Sequence, residues 1–219
     1  MKSRSPFVNR FPAQHNLLAA RTTPLLTDSV RALDIGAGSG FLAEIMMNAV
    51  RMYDGAELVC IDKNAEAMVG MTVPARVKLE CRAGNVNDMR PELNKKPFDL
   101  VFCSSSVHEL DPEPYTRWAY IMSLAEIVQA LTRPGAHWII GDWYYPIEGS
   151  SWGRISAEEA ERYRDHLMQE LGHADHTSRF LEPRSLIWAI THQNKFEWEG
   201  TYEIPAECRN YYVTLFKRK

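Results

Sequence analysis

The chain reads as an α/β protein whose strands build one doubly wound, mostly parallel sheet with helices on both faces. Two observations predict this. Short apolar strands alternate with amphipathic helices from residue 30 to residue 141, and the first strand runs into a turn with glycine at the alternate positions 36, 38 and 40. No internal repeat, low-complexity tract or long linker interrupts the pattern, so the 219 residues are expected to form one domain.

The elements follow in order. Residues 1–23 mix polar and aromatic side chains, among them Phe7, Phe11 and His15, and read as an irregular or partly helical N-terminal arm. Pro24 to Val30 is expected as a short helix, proline suiting a first turn. Val30 to Ile35 is a buried strand stopped by Gly36-Ala37-Gly38-Ser39-Gly40, and Phe41 to Val50 carries one apolar helical stripe. Glu57 to Ile61 is the second strand, with Asp62 at its end and a helical segment at 64–68. Val77 to Arg82 alternates apolar and charged residues, as a strand near a sheet edge does. Phe98 to Cys103 is almost continuously apolar and so central. Pro114 to Leu131 has helical spacing, closed by Arg133-Pro134-Gly135 before a fifth strand, Ala136 to Gly141. Residues 143–182 form an insertion in which Ser156-Ala157-Glu158-Glu159 opens a charged helix to about Leu171. A helix at Pro183 to Asn194 precedes two strands, Phe196 to Ile204 and Tyr211 to Arg218, expected to pair as an antiparallel hairpin.

Composition limits the function. With 45% apolar and 24% charged residues the chain is globular rather than disordered. Its formal net charge of −3 supplies no chain-wide basic field, so nucleic acid is not the expected partner. No apolar run approaches the roughly 18 residues of a membrane span. The start Met1-Lys2-Ser3-Arg4-Ser5-Pro6 leads into no apolar segment, and Cys60, Cys81, Cys103 and Cys208 are too scattered for a disulfide frame or a zinc site. A cytoplasmic location is therefore expected, and no metal. The oligomeric state, monomer or homodimer, stays open.

A parallel sheet binds ligands at the carboxyl ends of its strands. At the first end, alternate glycines let a ligand approach the backbone closely, and Asp34 would attract a cationic amine. A dinucleotide fingerprint would need glycine at 41, where Phe41 stands, and no phosphate-loop lysine follows. At the second end Asp62 either accepts bonds from both ribose hydroxyls or caps a helix. At the third, Gly84-Asn85-Val86 offers an amide and a backbone N–H to an adenine edge. The fourth is Cys103-Ser104-Ser105-Ser106, leading into Val107-His108-Glu109-Leu110.

These segments resemble the class I S-adenosylmethionine-dependent methyltransferases over roughly residues 28–145, extending through the closing hairpin to 218. Ala32 to Gly40 is similar to the family's first motif and Val59-Cys60-Ile61-Asp62 to its second. Ala83-Gly84-Asn85-Val86 resembles the third, with Asn85 where Asp is commoner. Phe98-Asp99-Leu100-Val101 resembles the fourth, and Leu131-Thr132-Arg133-Pro134-Gly135 the fifth. The resemblance implies a Rossmann-like sheet of seven strands in the order 3-2-1-4-5-7-6, one of them antiparallel. It implies S-adenosyl-L-methionine as cofactor, with Gly36, Ala37, Gly38 and Gly40 along its methionine part. It further implies Asp62 on the ribose, Lys63 and Val86 flanking the adenine, Gly84 and Asn85 at the adenine's amine, and Cys103 and Ser104 on the methionine side.

Methyl transfer requires alignment, and a base only where the acceptor must lose a proton. His108 is the candidate base, or else a packing residue, and Asp142 either orients an acceptor or caps a turn. Trp143, Tyr144 and Tyr145 wall an acceptor pocket or form core. The arm, with Phe11 and His15, and the insertion at 143–182 are the expected acceptor cap. His166, His173, Asp175 and His176 in that insertion lack metal-ligand spacing and read as a solvated helix end. The expected activity is methylation of an O or N atom on a small aromatic or heteroaromatic molecule. RNA modification and a non-catalytic cofactor-binding partner or sensor are the alternatives.

Overall fold

In a computed structural model the chain is described at residues 12–49, 51–110, 117–144, 182–204 and 210–219. The N-terminal residues 1–11 with Phe11, the insertion 145–181 with Tyr145 and its histidines, and the helix expected over 156–171 lie outside the described residues.

Seven strands form one sheet in the order β3-β2-β1-β4-β5-β7-β6: β1 (Arg31–Ile35), β2 (Glu57–Asp62), β3 (Lys78–Ala83), β4 (Phe98–Ser104), β5 (Thr132–Tyr144), β6 (Phe196–Ile204) and β7 (Asn210–Arg218). The first five run parallel, and β7 lies antiparallel between β5 and β6. The period of two sends alternate side chains to two cores. Ala32, Leu58, Cys60, Phe102 and Ile139 face α1 (Pro12–Thr22) and α2 (Phe41–Asn48). Leu33, Val59, Val101 and Ile140 face α3 (Val86–Leu93), α5 (Arg117–Leu131) and α6 (Pro183–Thr191); a short α4 (Val107–Leu110) follows β4. Among the described residues no helix is long and apolar enough to cross a membrane.

Three local expectations are corrected. Pro24 to Val30 is not a helix. A single 3-10 turn, Thr23–Leu25, ends in extended Leu26, and a turn closed by the Val30 amide on the Thr27 carbonyl at 3.3 Å leads into β1, with Leu26 and Val30 both buried. Arg133-Pro134-Gly135 does not precede the fifth strand but lies inside it. Pairing starts at Phe98 opposite Thr132 and resumes at Leu100 opposite His137, so residues 133–136 bulge out, with Gly135 at φ +80°. Asp99 holds the bulge through Arg133 Nε at 2.6 Å. The helix expected to run to Asn194 stops at Thr191, because Asn194 adopts φ +59° and turns back to the Thr191 carbonyl at 2.8 Å. The antiparallel β6–β7 pair is as expected.

The register brings Ile35, Asp62, Ala83 and Ser104 to one edge. Asp62 sits opposite Ala83, and Ser104 opposite Gly141. Gly141 is where β5 meets α1. A Cβ there would overlap the Tyr211 hydroxyl and lie 3.2 Å from both Leu18 methyls, all fully buried. Gly141→Ala is therefore expected to cost about 1–3 kcal/mol, read as a lowered urea midpoint at unchanged slope.

Candidate active site

The glycine turn is folded down onto the end of β2. The Gly36 and Ala37 amides donate to the Ile61 carbonyl at 2.8 and 3.1 Å, and the Gly38 amide donates to Asp62 Oδ2 at 2.8 Å. Gly36 and Gly38 sit at φ +71° and +50°, in the left-handed region that a side chain resists. At Gly36 a Cβ would also overlap the Cβ of Ser106, whose hydroxyl donates to the Ile35 carbonyl at 3.0 Å. Asp62 Oδ1 takes the Asn64 amide at 2.8 Å. Each carboxylate oxygen thus has one backbone partner and a lone pair left over.

This arrangement leaves a cavity of about 380 Å³, lined by residues 35–39, Phe41, residues 61–63, residues 84–86 and residues 104–106. Of the residues expected around a nucleoside cofactor, Gly36, Ala37, Gly38, Asp62, Lys63, Gly84, Asn85, Val86 and Ser104 all reach its wall. Asn85 caps α3, its Oδ1 accepting the Asn87 amide at 3.0 Å, which leaves the side-chain NH2 and a second lone pair for a ligand edge. Volume, backbone cradle and the unused acceptors of Asp62 fit an adenosine carrying an amino acid.

Asp34, Gly40 and Cys103 are set behind the wall. Gly40 lies against Met71, whose Cγ is 2.6 Å from where a Cβ would stand. Cys103 is fully buried in the second core, which pushes its thiol up to about 12. Asp34 is 2% exposed on the opposite face and accepts the Leu42 amide, and its Oδ2 has no hydrogen-bond partner among the described residues. Burial first, and the charge of Asp62 in addition, raise its carboxyl to about 8. From the sequence, Phe41 reads only as part of a helical stripe and Ser39 only as part of the glycine turn, and Ser105 and Ser106 stand at the fourth strand end with no ligand assigned to them; all four line the wall.

A second set of groups stands beside the cavity. His108, two residues beyond Ser106, directs Nδ1 at Asp142 Oδ1 across 2.7 Å, and its own amide donates to Asp142 Oδ2 at 3.2 Å. The Trp143 amide adds a bond to Asp142 Oδ1 at 2.8 Å. Asp142 is 2% exposed, so its position is fixed by three protein donors rather than by water. With Nδ1–H given to the carboxylate, Nε2 becomes the basic nitrogen. Trp143 and Tyr144 do not line the cavity. Trp143 packs edge-on against Tyr211, and Tyr144 bonds Glu203 and Asn210 through its hydroxyl while packing on Tyr212. Burial and Glu203 raise the Tyr144 phenol to about 12. His15 meets Phe41 edge-on at 4.7 Å, one ring behind the wall. Among the described residues no three His, Cys, Asp or Glu side chains are placed to hold a metal.

A Rossmann-like sheet with its glycine turn, strand-end carboxylate and nucleoside-sized cavity at one edge defines a nucleoside-binding site. Residues 33–139 match the family model described as a methyltransferase domain, which is consistent with a class I S-adenosylmethionine-dependent methyltransferase and with S-adenosylmethionine as the cofactor the cavity takes. Solved structures share the fold. An O-methyltransferase from Bacillus cereus, in complex with S-adenosylhomocysteine, is 12% identical at a TM-score of 0.55, covering 99% of this chain and 83% of that one. The N-methyltransferase NodS from Bradyrhizobium japonicum is 13% identical at 0.52, over 95% and 98%. A protein from Bordetella parapertussis, described as a possible exported protein, is 14% identical at 0.64, over 99% and 70%. A search of curated proteins gave no match.

Two predictions follow from these contacts. Asp62→Ala removes two bonds that hold the turns around the cavity, together with the carboxylate's unused acceptors, and is expected to weaken S-adenosylhomocysteine binding about 10- to 100-fold by calorimetry. For Asp34, a folded pKa near 8 against an ordinary 3.8 means the folded state holds the proton more tightly. The resulting stability is complete below pH 4 and is lost as pH rises through 8. Asp34→Asn imitates the protonated acid. Between pH 4 and 8 the wild type should therefore lose roughly 1 kcal/mol per pH unit relative to the variant, read in parallel urea melts.

Proposed function

We propose that this enzyme methylates an O or N atom of a small aromatic or heteroaromatic molecule, with His108 as the base that removes the acceptor proton. The observation that carries the reading is the His108–Asp142 pair at the carboxyl edge of β4 and β5, two residues from the cavity wall. A buried carboxylate that fixes the imidazole tautomer serves an acceptor with a proton to lose, such as a phenol or an amine. Bound S-adenosylmethionine supplies a methyl group on a sulfonium, open to in-line displacement. The chain's own work is to align the acceptor, an orientation effect worth about 7–11 kcal/mol, and to take the proton on Nε2.

Other features agree with this reading. The fold neighbours include an O-methyltransferase and an N-methyltransferase. We take the N-terminal arm and the insertion, which starts only after Tyr144 because Trp143 and Tyr144 belong to β5, as the acceptor's cover within a single domain, since His15 already packs against the wall residue Phe41. The acidic balance of the chain favours a small acceptor over RNA, and we assign the enzyme to the cytoplasm.

The test is formation of S-adenosylhomocysteine against panels of phenols, hydroxylated heteroaromatics and amines. Asp142→Asn puts an NH2 in place of one of the two acceptor oxygens and removes the negative charge that holds the His108 Nδ1–H. It should lower kcat about 10²- to 10⁴-fold while cofactor affinity stays within about twofold, and His108→Ala should do the same. Turnover unchanged in both variants would remove the base from the mechanism.

A further inference from the structure

Cys60 and Cys81 stand opposite one another in the parallel β2–β3 ladder. Register partners project to the same face, and neighbouring strands run about 4.7–4.9 Å apart, inside the roughly 4.4–6.8 Å between Cα atoms that a disulfide spans. The two thiols differ in access. Cys60 is fully buried, and Met71 covers it with Sδ 3.4 Å from its Sγ. Cys81 lies on the edge strand and is exposed. An oxidant therefore meets Cys81 first, with Cys60 waiting as its partner.

We propose that Cys60 and Cys81 are a reversible redox modification site for hydroperoxides that lowers affinity for the cofactor. The Cys81 sulfur attacks the peroxide, so that an S–O bond forms, the O–O bond breaks and an alcohol or water departs, leaving a sulfenic acid. Cys60 then displaces the hydroxyl, its own proton leaving with that group as water, and an S–S bond results. The sulfurs give up two electrons in total and the peroxide takes two. Burial holds both thiols above their usual range, so the pair persists reduced until oxidant is sustained.

The link to the cofactor is positional. Cys60 lies two residues before Asp62 and Cys81 three before Gly84, so the crosslink joins the two strands whose ends carry the wall residues Asp62, Gly84 and Asn85. A disulfide brings the two Cβ atoms to about 3.5–4.5 Å, drawing β3 onto β2. Met71, which covers Cys60, also fills the space over Gly40, so its displacement reaches the glycine turn.

The experiment treats the full chain with hydrogen peroxide, then maps non-reduced peptides and titrates S-adenosylhomocysteine by calorimetry. The expected result is a Cys60–Cys81 crosslinked peptide and an affinity about fivefold weaker, both reversed by dithiothreitol. Cys81→Ser, at an exposed position, should abolish crosslink and affinity change together. Cys60→Ser should leave a dimedone-reactive Cys81. Overturning results are Cys81 oxidised while Cys60 remains alkylatable after unfolding, a crosslink made to another cysteine, or a crosslink with unchanged affinity. The affinity arm rests on Asp62 and Asn85 holding the nucleoside. Reduced protein that crosslinks yet never binds the ligand would sink that placement and leave the modification site standing.

Discussion

The Asp62 carboxylate is the constraint on which the site depends. A turn with three glycines has many conformations open to it, and a loop that samples them all presents no fixed surface to a ligand. Here Oδ2 takes the Gly38 amide while Oδ1 takes the Asn64 amide, so one side chain fixes both the turn after β1 and the turn after β2. The Ile61 carbonyl adds two more bonds to the same loop. The cavity between these turns therefore exists before a ligand arrives, and little ordering remains to be done on binding.

A similar economy places the groups at the ends of β4 and β5. Asp142 is almost wholly buried, and three donors meet its two oxygens, among them the imidazole and the backbone amide of one residue, His108. Holding a ring by its nitrogen and its own main chain fixes both its rotation and its position. Asp34 shows the opposite outcome for a buried carboxyl. With one donor and an oxygen left over, it is held near neutrality instead of forming an ion pair.

Strand alternation, the glycine turn and the strand-end residues were legible in the sequence because each is a local pattern. Period-two and period-3.6 burial gave the sheet and its helices, and the family resemblance gave the strand order, as found. Asp34 was legible as a strand-end acid but not as a buried one, since which face a strand residue takes depends on the sheet it joins. Cys103 was misjudged for the same reason, pointing into the second core beside a strand end that is otherwise polar. The bulge at 133–136 was read as a turn ahead of the strand. Proline and glycine mark a break in pairing, but only the register with β4 shows that pairing had already begun at Thr132. The pairing of His108 with Asp142 joins residues 34 apart, and no local pattern encodes it.

Among the described residues β3 and β6 are the outer strands of the sheet, with no further strand beside them, and their side chains decide what their edges attract. β6 exposes Glu197, Glu199 and Glu203 along its length, broken by a register shift between Trp198 and Gly200. Two copies meeting along this strand would align like charges over a kinked backbone. The longer of the two described outer strands thus carries charge and a kink that disfavour zipping into a continuous intermolecular sheet.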